Sequence, residues 1–310
     1  AMETAADYPC RDAESRAVAE FLVTHPNIYA GIDYHCGSKG ILRPLTAPDS
    51  DLPYEDLNIM KRVGELGEKI TGLSLIHEYM YRVAGDPPEK PYGCSNNFSY
   101  YVLGISHYVI ELGNGYNSIG LSTEEILRGL GDDGGGTWLP RIVQMHRDMG
   151  KDVLVPWQKF EHPQLGTVEI GGLKDGQAYY MNLKDMEDLI PKTTQFLLAH
   201  ADMRPQLELG NVKKMDLGGG NYRIRATVLN KGYFGTRVMP GATGYNSRRD
   251  VTVELNGAEI LSRPNLHTIP CLGSMESQPL EWFVKGSRGD KITIIAHHPK
   301  SCTSAVEITL

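Results

Sequence analysis

The chain has 310 residues, 41% of them hydrophobic and 22% charged, with a net charge of -7. A length beyond the roughly 100–200 residues of one domain favours two domains, and the absence of any apolar run of about 18 residues argues against a membrane-spanning helix. The 38 acidic residues outnumber 31 basic ones and no basic cluster is interleaved with aromatics, so no nucleic acid partner is expected.

The segment Ala1-Met2-Glu3-Thr4 has no apolar stretch of the kind a secretory leader carries and reads as a start internal to a longer protein. From Asp12 to Thr24, Ala13, Ala17, Val18, Phe21 and Leu22 recur at helical spacing, and Pro26 closes the pattern. The run Ile28–Tyr34 then reads as a buried strand broken by Gly37 and Gly40, which leaves His35 at the strand's carboxyl end. A second helix is predicted over Tyr54–Thr71, with Leu57, Met60, Val63, Leu66 and Ile70 on one face, and a third over Leu73–Val83. Gly85–Pro91 is too rich in proline for anything but a loop.

Ser106–Leu112, bounded by Gly104 and Gly113, is predicted as a second core strand with Glu111 near its end. Helices are expected over Ser122–Arg128, Leu139–Met149 and Leu183–His200, with a strand segment within Trp157–Gly172. Beyond Pro205 the pattern turns to short alternating strands: Tyr222–Leu229, Val251–Leu255, Trp282–Val284, Lys291–Ala296 and Ala305–Leu310, with Asn256-Gly257 as a hairpin turn. The expected organisation is an α/β domain over residues 1–204 and an all-β, immunoglobulin-like sandwich over 205–310.

In open α/β sheets chemistry gathers outside the carboxyl ends of strands, where both His35 and Glu111 are placed. Imidazole is a common zinc ligand and a carboxylate can deprotonate metal-bound water, so the two suit metal-assisted hydrolysis; the bland alternative is a structural histidine and a solvated carboxylate. Other sequence features favour plain roles. Gly129–Gly134 fits G-x-G-x-x-G but follows a helix and carries Asp132-Asp133, so it reads as a loop. Cys36 reads as a small buried thiol and His297-His298 as an exposed turn. The five cysteines contain no C-x-x-C pair, and their odd number leaves the compartment open, secretion or a periplasmic location included.

Arg11–Ala17, Asn27-Ile28, Ile32–His35 and Ile41–Pro44, followed by Tyr101–Leu112, resemble segments of the zinc metallocarboxypeptidases of the carboxypeptidase A type over residues 7–121. The resemblance implies a partial mixed-sheet carboxypeptidase-like domain, Zn2+ as cofactor, His35 as a metal ligand and Glu111 as general base. The implied substrate is the C-terminus of a peptide or protein. That family draws two further ligands from an H-x-x-E motif, which occurs nowhere in this chain. The chain alone is therefore expected to be inactive, with an upstream segment completing the site. The alternative is a non-catalytic, peptidase-like pseudoenzyme acting as a peptide- or protein-binding module.

Overall fold

The computed structural model describes residues 10–36, 39–44, 49–76, 94–121, 138–174, 183–244, 249–262 and 264–310. The first part of the chain builds a mixed sheet with helices. Helix α1 (Ala13–Thr24) leads into strands β1 (Ala30–His35) and β2 (Lys39–Leu42), then helix α2 (Tyr54–Thr71) and the short strand β3 (Leu75–Ile76). Helix α3 (Ser95–Leu103) and strand β4 (Ser106–Leu112) follow. The sheet runs β1-β4-β2-β3, with β1 parallel to β4, β2 antiparallel to β4, and β3 parallel to β2.

Two local signals set these elements. Helix α2 stops because Gly72 takes the left-handed conformation at φ 72° and turns its N–H back to the Glu68 carbonyl. In β4 the residue type alternates, so Tyr108 and Ile110 join one core face while His107, Val109 and Glu111 occupy the other. The expected helix over Leu73–Val83 is not formed at its start: Leu75-Ile76 pairs as a strand with Ile41-Leu42, and residues 77–83 lie outside the described residues. The expected loop at 85–91, the helix at 122–128 and the glycine loop at 129–134 likewise fall outside them.

A short helix α4 (Gly115–Ser118) is capped by Asn114, whose side chain accepts from Tyr116 and Asn117. Helix α5 (Leu139–Asp148) buries Ile142 and Met145. Strands β5 (Leu154–His162) and β6 (Gly166–Leu173) form a separate antiparallel pair, and helix α6 (Leu183–Asp202) packs Leu189 and Phe196 against the mixed sheet's core.

The remaining chain is a β-sandwich. Strands β7 (Leu207–Gly218), β8 (Asn221–Asn230), β10 (Glu259–Ile260) and β12 (Ser277–Lys285) make one sheet in the order β10-β12-β8-β7. Strands β9 (Val251–Asn256), β11 (Leu266–Ile269), β13 (Lys291–His297) and β14 (Ser304–Thr309) make the other, in the order β11-β9-β13-β14. Alternate residues of both sheets point inward, so Ile224, Val228, Val253, Trp282, Val284, Ile292 and Ile294 share one core.

The loop after β8 leaves that sandwich and enters the other core: Phe234, Val238, Met239 and Ala242 pack with Ile41, Tyr100, Tyr108 and Phe196. The two cores are therefore joined by buried chain. Among the described residues no helix is long and apolar enough to cross a membrane.

Candidate functional site

Strands β1 and β4 run in parallel with His35 directly opposite Glu111. The pleat alternates every second side chain to the same face, so Gly31, Asp33 and His35 of β1 share a face with His107, Val109 and Glu111 of β4. The two residues singled out in the sequence thus stand side by side at the carboxyl end of a parallel pair. They differ in exposure: His35 is open to solvent, whereas Glu111 is only 3% exposed.

Behind them lies a polar cluster that no sequence motif marked. His107 is buried, and its Nε2 lies 3.2 Å from Asp33 Oδ1. Its Nδ1 is 2.9 Å from the Ser99 hydroxyl on α3, and the Ser95 hydroxyl at the start of the same helix donates to the other oxygen of Asp33. The His107 imidazole and the Ser95 hydroxyl hold the Asp33 carboxyl below the usual carboxylate range, with the His35 charge adding in the same direction. Ser99, His107 and Asp33 stand in series, with His107 Nε2 at ion-pair distance from Asp33 but outside hydrogen-bond geometry, and Ser99 is fully buried, so no substrate carbonyl can reach its hydroxyl. The series braces β1 and β4 against α3.

Gly31 is what lets the brace form. A β-carbon there would sit 3.1 Å from the His107 ring, tighter than side-chain packing accommodates without movement. Gly31→Ala is expected to cost about 1–2 kcal/mol, in the range of overpacked cores, read as a lower urea midpoint; an unchanged midpoint would show that the ring can yield.

Two further expectations are corrected. Cys36 is exposed, not buried, because the chain has already left the sheet when it reaches that position. His298 is 1% exposed and is part of no open turn, whereas His297 is exposed.

A catalytic zinc usually takes three protein ligands. Among the described residues no three His, Cys, Asp or Glu side chains converge as a metal cluster. The donors among the described residues therefore do not by themselves make a zinc site.

Residues 206–309 match a family model described as a domain of unknown function, DUF8731. Solved structures similar to the chain include the CARDB domain of a Pyrococcus furiosus protein in complex with di-metal ions, at 16% identity over 34% of this chain and 88% of that one, with a TM-score of 0.23. The archaellum periplasmic stator protein FlaG of Sulfolobus acidocaldarius matches at 11% identity over 34% and 99% of the two chains, with a TM-score of 0.21. A conjugative transposon lipoprotein from Bacteroides eggerthii matches at 13% identity over 34% and 96%, with a TM-score of 0.22. A search of curated proteins finds no match.

None of these is a zinc metallocarboxypeptidase, and the expected membership of that family is corrected on that finding. The expected carboxypeptidase-like domain falls with it. The physical reason is that two of the segments carrying the resemblance, Ile32–His35 and Tyr101–Leu112, lie largely on the strands Ala30–His35 and Ser106–Leu112, whose apolar pattern many sheet strands share. What stands is a mixed α/β chain with several sheets, rich in β-sandwich.

Proposed function

We propose that this chain contributes to zinc-dependent hydrolysis of the C-terminal bond of a peptide or protein. In this reading Glu111 is the general base that takes a proton from the attacking water, and His35 is one ligand of the metal. The reading rests on no family assignment. The observation that carries it is the register: an open imidazole and a buried carboxylate are opposed at the carboxyl ends of two parallel strands.

The donor set requires further ligands from outside the described residues, so the reading makes two expectations. After zinc loading and desalting, the wild-type chain retains more zinc than His35→Ala, measured by mass spectrometry of metal content. In an assembly that hydrolyses peptides, Glu111→Gln lowers kcat by about 10²–10⁴, the usual worth of a general base, with little change in KM. Equal zinc in both proteins, or hydrolysis that survives Glu111→Gln, sinks the reading.

A second reading is a peptide- or protein-binding module that does not cleave. It is favoured by the absence of a three-donor cluster among the described residues. Under it, peptide binding persists in both His35→Ala and Glu111→Gln, and zinc is without effect.

A further inference from the structure

The sandwich holds helix α3 by its carboxyl end. Lys300, in the turn between β13 and β14, is 7% exposed and its ammonium donates to the carbonyls of Leu103 (2.8 Å) and Gly104 (3.2 Å). These are carbonyls that the end of a helix leaves without intrahelical donors, and a cation there also suits the helix dipole. A second sandwich-side contact comes from Gly244, whose N–H donates to the Tyr101 carbonyl at 2.9 Å. The start and middle of α3 carry Ser95 and Ser99, which hold Asp33 and His107 behind His35 and Glu111.

The turn that presents Lys300 is itself built on His298. The Lys300 N–H donates to His298 Nδ1 at 3.2 Å, so that nitrogen must be without a proton. The other nitrogen, Nε2, then carries the hydrogen and donates to the Arg249 carbonyl at 3.3 Å. A second proton would set two donors against each other at Nδ1. It would also place a charge, within a site 1% exposed, among the cations that already face the ring: Lys300, Arg249 and His297 when protonated.

We propose that the His298–Ser301 turn is an acid-sensitive latch, closed while His298 is neutral, that couples the sandwich to helix α3. Protonation expels the ring from its two backbone partners, the turn opens, and Lys300 withdraws from the Leu103 and Gly104 carbonyls. Burial, with the neighbouring cations adding to it, brings the His298 pKa down to about 4 in the closed turn. Opening therefore takes up a proton at any pH between that value and the ordinary histidine range.

The test is amide hydrogen exchange on the full chain at about pH 7 and about pH 4.5, with times corrected for intrinsic rate, following peptides that cover residues 99–105. In the wild type, acid is expected to lower protection there by at least about tenfold relative to α2. His298→Asn keeps an acceptor near the Nδ1 position and cannot be charged; its acid loss is expected to be below about twofold. Lys300→Met serves as the second variant: residues 99–105 exchange fast at both pH values. Wild-type protection that does not change with acid, or the same acid loss in His298→Asn as in the wild type, overturns the latch. His200, beneath Ser106, also titrates, but its protonation loosens α6 and β4 and persists in His298→Asn, so the variants separate the two.

Discussion

Asp56→Ala is expected to lower the unfolding free energy by about 4 kcal/mol, as two buried donors lose their acceptor at about 1–3 kcal/mol each. Asp56 is fully buried on α2. Its Oδ2 accepts from the Tyr100 hydroxyl at 2.6 Å and its Oδ1 from the Gly241 N–H at 3.0 Å, so one carboxyl ties α2, α3 and the loop that follows β8. The fit is close on all sides: a β-carbon on Gly241 would meet Pro53 at 2.5 Å and Asp56 itself at 2.7 Å. Burial raises the Asp56 pKa while the two hydrogen bonds lower it, and burial has the larger effect.

Asp56→Asn keeps one acceptor oxygen but turns an NH2 group toward a donor, so an intermediate loss of about 2 kcal/mol is expected. The loop after β8 contributes Phe234 and Met239 to the mixed-sheet core, so both parts of the chain should weaken together. Circular dichroism and tryptophan fluorescence, the latter including Trp282 of the sandwich core among three tryptophans, should give coincident urea transitions in the variant. A loss below about 1 kcal/mol would mean that water replaces the carboxylate at its two donors.

The parts of the fold that could be read in the sequence are those where periodicity and punctuation agree. Helix α2 and strand β4 fall on Tyr54–Thr71 and Ser106–Leu112 as expected, the first closed by Gly72 and the second bounded by Gly104 and Gly113. Helix α3 was hidden because Ser95–Leu103 is polar at its start and aromatic at its end. Its helical state follows from burial of Asn96, Ser99, Tyr100 and Leu103 on one face, which depends on partners distant in sequence. Strand β7 escaped for the opposite reason: Lys213, Lys214 and Asp216 make it polar, and it is held as an edge by pairing to β8.

The site was legible in the same partial way. His35 and Glu111 each sat at the end of a readable strand, but their opposition depends on a parallel pairing across more than seventy residues of chain, which no local pattern encodes. Asp33 and His107 had a faint signal: each shares a strand face with one of the two, two and four residues away. Without the register, that spacing looks like ordinary alternation.

The second large effect is expected with pH: stability should be full at about pH 7 and fall by up to about 6 kcal/mol toward pH 4, as two buried histidines contribute about 3 kcal/mol apiece at 1.36 kcal/mol per pH unit. His200 lies in the core, with its Nε2 3.0 Å from the Ser106 hydroxyl and its ring stacked on Phe196 and edged by Tyr108 and Phe234. Burial, with a smaller effect from His107, depresses its pKa from 6.5 to about 4. His298 is depressed to about 4 by burial as well. Between these values the unfolded chain binds protons that the folded chain refuses, so unfolding is drawn forward as pH falls.

Lys300 works in the same sense in alkali: burial lowers it from 10.5 to about 8, so the folded state gains stability as pH rises through that interval. Urea unfolding across pH 7 to about 4.5 should therefore show a slope approaching two protons, and His200→Gln should remove one of them. His298→Asn should remove the other, and the double variant should leave a shallow slope set by the surface carboxylates. A profile that is flat from pH 7 to about 5 would place both imidazoles in contact with solvent in the native state.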